Sequence, residues 1–171
     1  MLTELTPEQE KQVQERLQGQ EKEISERASD IFCTEISWLL RIMKEHFGEE
    51  AYQVLVKEKD KRTRQQWSKT AEETGDNSIE ALIKHLFESW RGGEYTMEKT
   101  DSGFQMRCTK CPGYEKAKRL GITEQMFYWM CSGDPFIAEG FNPNIGFKRT
   151  KTLMQGDDCC DHFYYYKDKS K

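Results

Sequence analysis

Apolar positions recur at steps of three and four residues through the first half of the chain, a spacing typical of helices that bury one face. The Thr6-Pro7 pair predicts the start of a first helix, and Gly48 is expected to end the helical segment that follows. Residues 49–74 predict a mostly charged helix, and residues 77–80 resemble a capping box that opens another. The apolar positions of the second segment are Ile24, Ala28, Ile31, Phe32, Leu39, Ile42, Met43 and Phe47.

The pattern changes after residue 93, where apolar and polar positions begin to alternate as they do in half-buried strands. Residues 101–103 and 155–158 each separate two such segments, which predicts two hairpins. The Asp134-Pro135 and Asn142-Pro143 dipeptides predict turns. The predicted elements are strands over residues 94–100, 104–109, 145–154 and 159–167, and short helices over residues 114–120 and from Thr123, which is expected to be the cap.

This order of elements predicts an α+β fold, with N-terminal helices followed by a mainly antiparallel sheet that has inserted helices. The length of 171 residues fits one domain covering the whole chain. Residues 1–20 are strongly polar, and we expect them to form a loosely packed N-terminal helix.

Charge and hydropathy exclude several classes of protein. The chain has 26 Lys and Arg against 30 Asp and Glu, and its first 100 residues are acidic. An acidic half does not suit a polyanionic partner, so nucleic-acid binding is disfavoured. No apolar run is long enough to span a bilayer, and the N-terminus lacks a secretory pattern. We therefore expect a soluble, cytoplasmic protein with no membrane partner.

Five of the six cysteines lie after residue 100, so we expect any chemistry in that part of the chain. Cys108 and Cys111 form a C-x-x-C pair, which can bind one metal ion or act as a redox pair. Cys159 and Cys160 lie on a predicted strand, which sends their side chains to opposite faces and argues against a shared ion. Each of these cysteines can also be a plain buried core residue.

Cys160 and His162 are two residues apart on the predicted strand and therefore share a face. A thiol beside an imidazole that can take its proton is the minimal activated nucleophile, and both groups are also metal ligands. Asp158 shares this face at the turn, whereas Asp161 points the other way. Either acid, or Asp157, is a candidate for orienting the imidazole. The plain alternative is a histidine satisfied within the sheet, beside acids that solvate a turn.

A basic stretch on the preceding predicted strand offers cations for an acidic substrate. Arg149 and Lys151 share one face of that strand, and the planar donor fork of an arginine suits a carboxylate. A solvated strand face is the alternative interpretation of the same residues. The sequence contains no glycine-rich phosphate loop, no H-E-x-x-H motif and no G-x-S-x-G motif.

The C-terminal half, over about residues 80–167, resembles the L-2-amino-thiazoline-4-carboxylic acid hydrolase family. A fainter similarity, to vinyl-reductase-type ligand-binding domains, implies cysteines that hold a structural zinc beside a small-molecule pocket. The residues that carry the first resemblance are Cys111-Pro112, Gly121, Cys131, the Phe141-Asn142-Pro143 turn, Arg149 to Leu153, and Gly156 to His162.

The family resemblance implies addition of water to a cyclic amidine carbon, which opens the ring to a carbamoyl-cysteine. We therefore expect a hydrolase that acts on a C–N bond of a small cyclic amidine or amide acid. Cys160 is its candidate nucleophile or ligand, and His162 its general acid and base. The candidate catalytic residues are Cys160, His162, Asp161 and Asp158, and the candidate substrate-binding residues are Arg149, Asn142 and Lys151.

Two other hypotheses stay open on the sequence. In the first, the protein is a small-molecule binding or sensor module without catalysis, whose zinc is held by Cys111, Cys131, Cys160 and His162. In the second, it is a regulatory protein that docks a partner through its acidic helices. The number of subunits is open, and oligomers are compatible with the sequence.

Overall fold

The computed structural model of the chain describes residues 6–88, 90 and 92–167. Its helices and strands confirm the predicted α+β class. Two 3₁₀ turns, Cys131–Gly133 and Leu153–Gln155, complete the regular structure of these residues. The helices are α1 (Pro7–Thr74), α2 (Ile79–Phe87), α3 (Pro112–Leu120), α4 (Thr123–Trp129) and α5 (Asp134–Phe141), and the strands are β1 (Glu94–Thr100), β2 (Gly103–Lys110), β3 (Ile145–Lys148) and β4 (Cys160–Tyr166).

Contacts divide the chain into two compact units, Met1–Ile36 and Ser37–Lys171. In the first unit the chain is helical from Pro7 onward, and every side chain described between Thr6 and Ala28 is exposed. The loose packing expected of residues 1–20 stays a prediction. The second unit contains all the strands and all the residues discussed below as a candidate site.

Helix α1 consists of two helical stretches joined at Gly48, whose φ of 80° lies in the region that favours glycine. The predicted helix start after Thr6, the break at Gly48 and the end at Thr74 are therefore confirmed. None of the helices described is both long enough and apolar enough to cross a membrane.

The four strands form one antiparallel sheet in the order β1-β2-β4-β3. The hairpin predicted around residues 101–103 is present as β1 and β2. In the register between β2 and β4, Cys108 lies opposite Cys160 and Met106 lies opposite His162. Because side chains alternate along strands, these four residues share one face of the sheet.

Helices α2 and α5 cover that face and form the main core with it. Ser78 begins α2 as its N-cap, since its hydroxyl accepts a hydrogen bond from the Ala81 N–H at 3.2 Å. A smaller cluster at the other end of the face combines Met106, Cys108 and Cys160 with Leu153. The main core contains Ile79, Ala81, Leu82, Ala138, Phe141, Ile145 and Tyr164.

Helix α5 packs against the second stretch of α1 so closely that the two backbones are in contact. A Cβ at Gly140 would overlap the carbonyl oxygen of Arg64 and lie 2.8 Å from its Cα. Beside this contact, Arg64 Nη2 and Glu139 Oε2 form an ion pair of 3.0 Å. Only glycine therefore fits at position 140 without displacing one of the two helices.

Two predictions about helix starts are corrected. The Asp134-Pro135 dipeptide begins α5 instead of forming a turn, because proline is tolerated in the first turn of a helix, where its missing N–H costs no hydrogen bond. Thr123 is the first helical residue of α4, and Ile122 is its N-cap without a side-chain hydrogen bond. The helix predicted over residues 114–120 begins earlier, at Pro112, and ends as expected at Gly121, which has a φ of 69°.

The strand predicted over residues 145–154 is also corrected, since β3 ends at Lys148. Beyond Lys148, aspartate carboxylates accept the hydrogen bonds that backbone N–H groups would otherwise donate to a neighbouring strand. Asp161 Oδ1 accepts from the N–H groups of Thr150 and Lys151, at 2.8 Å and 2.6 Å. Asp157 accepts similarly from the N–H of residue 152, at 2.7 Å. The segment therefore forms a loop and a 3₁₀ turn, although β3 and β4 pair as predicted.

Candidate active site

A cavity of about 560 Å³ opens between α3, α4 and the 3₁₀ turn that begins at Leu153. Its volume is in the range of small-molecule sites, and its wall combines aromatic rings with a few polar groups. The charged side chains of the wall are those of Lys118 and Glu124. The wall is formed by Tyr114, Lys118, Thr123, Glu124, Phe127, Tyr128 and residues 153–156.

Cys160, at the start of β4, is hydrogen-bonded to the turn that forms this wall. The backbone N–H of Leu153 donates to Cys160 Sγ at 3.4 Å, and the thiol lies 3.6 Å from Thr152 Oγ1. The Thr152 hydroxyl is itself fixed, because it accepts a hydrogen bond from the N–H of Met154. The thiol is therefore buried, and it contacts Leu153 of the cavity wall without itself lining the cavity.

His162 follows Cys160 on the same face of β4. Its side chain is 13% exposed, and neither ring nitrogen has a hydrogen-bond partner among the residues that the structure describes. Burial and the nearby Arg149 guanidinium lower the pKa of His162 from 6.5 to about 4. The imidazole is therefore neutral near pH 7, with a nitrogen available to accept a proton.

An acid from the first turn of α5 faces the His162 ring. Asp134 Oδ2 lies 3.8 Å from His162 Nε2 and 2.5 Å from Arg149 Nη1. Burial raises the pKa of Asp134 to about 7, although the Arg149 charge opposes this shift. The Arg149 guanidinium lies over the rings of Phe127 and Phe147. Asp134, Arg149 and His162 form what we call the buried polar cluster, which borders the cavity through Phe127.

The neutral state of His162 makes the stability of the protein depend on pH. The unfolded chain binds a proton at His162 near pH 6.5, whereas the folded protein binds it only near pH 4. The contribution of His162 to stability is therefore complete above pH 6.5 and is lost as the pH falls through 4. The drop in the pKa of His162 from 6.5 to about 4 corresponds to a loss of about 3 kcal/mol in the free energy of unfolding. Asp134 acts in the opposite direction, because its raised pKa favours the folded state at low pH.

We expect the difference in unfolding free energy between the wild-type protein and His162→Gln to shift by this amount between pH 7 and pH 4, in favour of the variant at low pH. Urea unfolding at unit pH steps measures it, and taking the difference removes the contribution that Asp134 makes to both proteins. His46→Gln, which removes an exposed imidazole, is the control. Parallel pH curves for the wild-type protein and His162→Gln would show that the buried imidazole titrates normally.

The thiols predicted to gather at one site come from three elements. Cys111 immediately precedes α3, Cys131 begins the 3₁₀ turn before α5, and Cys160 begins β4. Burial raises the pKa of Cys111 and raises that of Cys131 to about 12, so both are protonated near pH 7. Cys108 and Cys111 of the C-x-x-C pair are free thiols.

A zinc site has no support in this geometry. Across residues 6–88, 90 and 92–167, no group of three or more His, Cys, Asp or Glu side chains is placed to hold a metal ion. The set predicted from the sequence, Cys111, Cys131, Cys160 and His162, therefore does not form such a group in the structure.

The remaining residues predicted for the site lie outside the buried polar cluster. Asp158 is exposed and forms ion pairs with Arg107 at 3.0 Å and Lys151 at 2.9 Å. Asp161 is occupied by the backbone N–H groups of the loop after β3. Asn142 is buried, and its amide donates to the backbone just before α2. The structure thus brings Arg149 and His162 together, with Cys160 two residues from His162 on β4, and places Asp158, Asp161, Asn142 and Lys151 elsewhere.

Sequence reasoning missed Asp134 and Lys118. The Asp134-Pro135 dipeptide predicts a turn, but an aspartate before proline is equally typical of the first turn of a helix. This second interpretation of the dipeptide is the signal that could have identified Asp134. Lys118 is one of two lysines on α3, and only the packing of α3 and α4 shows which of them reaches the cavity. No pattern in the sequence distinguishes it.

Comparison with known proteins gives one match. Residues 9–164 match the family described as L-2-amino-thiazoline-4-carboxylic acid hydrolase, which is most of the chain. Searches of the curated proteins and of the solved structures found no match.

Proposed function

Because the chain belongs to the L-2-amino-thiazoline-4-carboxylic acid hydrolase family, we propose that it hydrolyses a small cyclic amidine acid of this type, with Cys160 and His162 as its catalytic residues. One observation carries the assignment of residues. The Cys160 thiol is hydrogen-bonded to the turn that lines the cavity, and a neutral imidazole that has no hydrogen-bond partner among the described residues follows on the same strand face.

The proposed reaction begins with attack of Cys160 Sγ on the amidine carbon, which bears two nitrogens and the ring sulfur. His162 takes the thiol proton and delivers it to the ring sulfur, which leaves as a thiol and opens the ring. Water then attacks the resulting carbon–sulfur adduct and expels Cys160. One water molecule is consumed, both substrate nitrogens are retained, and the product is a carbamoyl-cysteine.

Within the buried polar cluster, Asp134 supports this role for His162, whereas the Arg149 charge opposes proton uptake. Proton uptake turns its imidazole into a cation, which burial disfavours. The Asp134 carboxylate at 3.8 Å compensates part of that cost and favours the protonated ring during the reaction. The backbone N–H of Leu153 stabilises the thiolate of Cys160 in the same step, since it already donates to the sulfur.

The reaction breaks a C–S bond in this substrate, whereas the sequence suggested a C–N bond. The two outcomes differ in product. Loss of the ring sulfur releases a new thiol and no ammonia, but loss of the exocyclic nitrogen releases ammonia and leaves the ring closed. The C–N interpretation applies to amide-like acids and is the alternative outcome of the assay.

We expect the purified protein to release one thiol per molecule of L-2-amino-thiazoline-4-carboxylate consumed, without ammonia. A colorimetric thiol assay and an ammonia assay on the same reaction measure the two products. Ammonia release in place of thiol would show that the protein deaminates the substrate and does not open the ring. Absence of both products from reactions with folded protein would reject the proposed function.

A cytoplasmic location and the lack of a nucleic-acid partner stay predictions.

A further inference from the structure

The arginine predicted to bind the substrate carboxylate is already occupied. Arg149 Nη1 donates to Asp134 and to the carbonyl oxygen of Cys131, at 3.1 Å for the second bond. Its side chain is 12% exposed, and its guanidinium lies over two aromatic rings. Arg149 is also not among the residues that line the cavity, so another cation is better placed to bind an acidic ligand there.

Lys118 of α3 is the lysine of the cavity wall. Its ammonium lies 5.7 Å from the centre of the Tyr114 ring, and in the described part of the chain no carboxylate is within ion-pair distance of it. The acid of the same wall, Glu124, is paired with Lys44 outside the cavity at 3.2 Å. Lys44 is shared between Glu124 and Glu49, the second at 3.6 Å, whereas Lys118 is the cation of the wall that no carboxylate of the described residues pairs.

The rest of the wall suits a small planar ring that carries such an acid. The rings of Phe127 and Tyr128 offer apolar contact, and Thr123 and Gln155 offer hydrogen-bonding groups. At Gly156 the φ of 97° favours glycine, and the missing side chain leaves that part of the wall open.

We propose that Lys118 Nζ binds the carboxylate of the ligand and makes the cavity selective for small monocarboxylic acids. The identity of the ring in this inference rests on the proposed function, whereas the preference for an acid does not. A charge-assisted hydrogen bond of this kind changes affinity on the order of tenfold or more.

Equilibrium binding tests this role independently of turnover. L-2-amino-thiazoline-4-carboxylate is titrated calorimetrically into the Cys160→Ala protein, with and without Lys118→Met. Lys118→Met keeps most of the apolar stem and removes the charge. Lys116→Met, two positions away on α3, is the matched control. We expect Lys118→Met to weaken binding on the order of tenfold and Lys116→Met to leave it unchanged.

A probe without the carboxylate separates recognition of that group from a structural effect. Lys118→Met should not weaken the binding of 2-amino-2-thiazoline, which lacks the carboxylate and carries a protonated amidine near pH 7. Equal weakening of both probes, equal effects of the two lysine variants, or no binding of the acid at all would overturn the inference. If Lys118 controls binding of the acid but the wild-type protein releases no thiol, the carboxylate site stands and the proposed hydrolysis falls.

Discussion

Replacement of Cys160 by alanine should reduce ring opening by about a thousandfold or more, as removal of a covalent nucleophile does. The reaction loses the group that attacks the amidine carbon, whereas the cavity wall keeps its shape. Only one buried sulfur is removed, so the cost in stability should be about 1 kcal/mol. Thiol release measures the activity, and urea unfolding shows that the variant is folded.

Cys159→Ala is the matched control for this prediction. Cys159 is buried to a similar degree and adjoins Cys160 in the chain, but its sulfur is directed to the exposed Asp158 carboxylate, 3.8 Å away. We expect Cys159→Ala to retain nearly full activity. Full activity in Cys160→Ala would show that water attacks the ring directly, and Cys160 would then be a buried residue that supports the cavity wall.

Asp134→Asn should lower the unfolding free energy by about 3–5 kcal/mol, because it leaves the Arg149 charge buried without a counter-ion. An arginine cannot relieve this cost by losing its proton, since its pKa lies far above neutrality. Arg149→Met is the instructive partner variant. There the remaining Asp134 can protonate, because burial already raises its pKa to about 7, and we expect a smaller loss.

Urea unfolding at pH 8 measures both effects, since Asp134 is mostly ionised there. Asp158→Asn is the control, because it also removes a carboxylate paired with cations. Its partners are exposed, however, and such pairs contribute little. If Asp134→Asn unfolds at the same urea concentration as the control, the buried polar cluster does not contribute to stability as its geometry implies.

Much of the fold followed from periodicity and from glycine positions. The breaks at Gly48 and Gly121 and the hairpin around residues 101–103 were predicted, because each depends on local backbone chemistry. The end of β3 was not predictable in this way. It depends on carboxylates of residues 157 and 161, which take the backbone N–H groups that a strand partner would have taken.

The candidate site was predicted in part. The shared face of Cys160 and His162 follows from strand alternation and is present in the structure. The acid that faces the imidazole was missed because Asp134 lies far from His162 in sequence, and only the packing of α5 brings them together. Arg149 was identified as important, but its partner proved to be a buried side chain of the protein.

The backbone contact at Gly140 ties the position of Asp134 to that of the second stretch of α1. Helix α5 carries Asp134 at one end and meets Arg64 near the other, with no side chain between the two backbones to absorb a displacement. Because a helix of this length moves as a rigid rod, a shift of α1 at Arg64 changes the separation between Asp134 and the His162 ring. Substitutions that alter the packing around Arg64 should therefore change the geometry of the buried polar cluster.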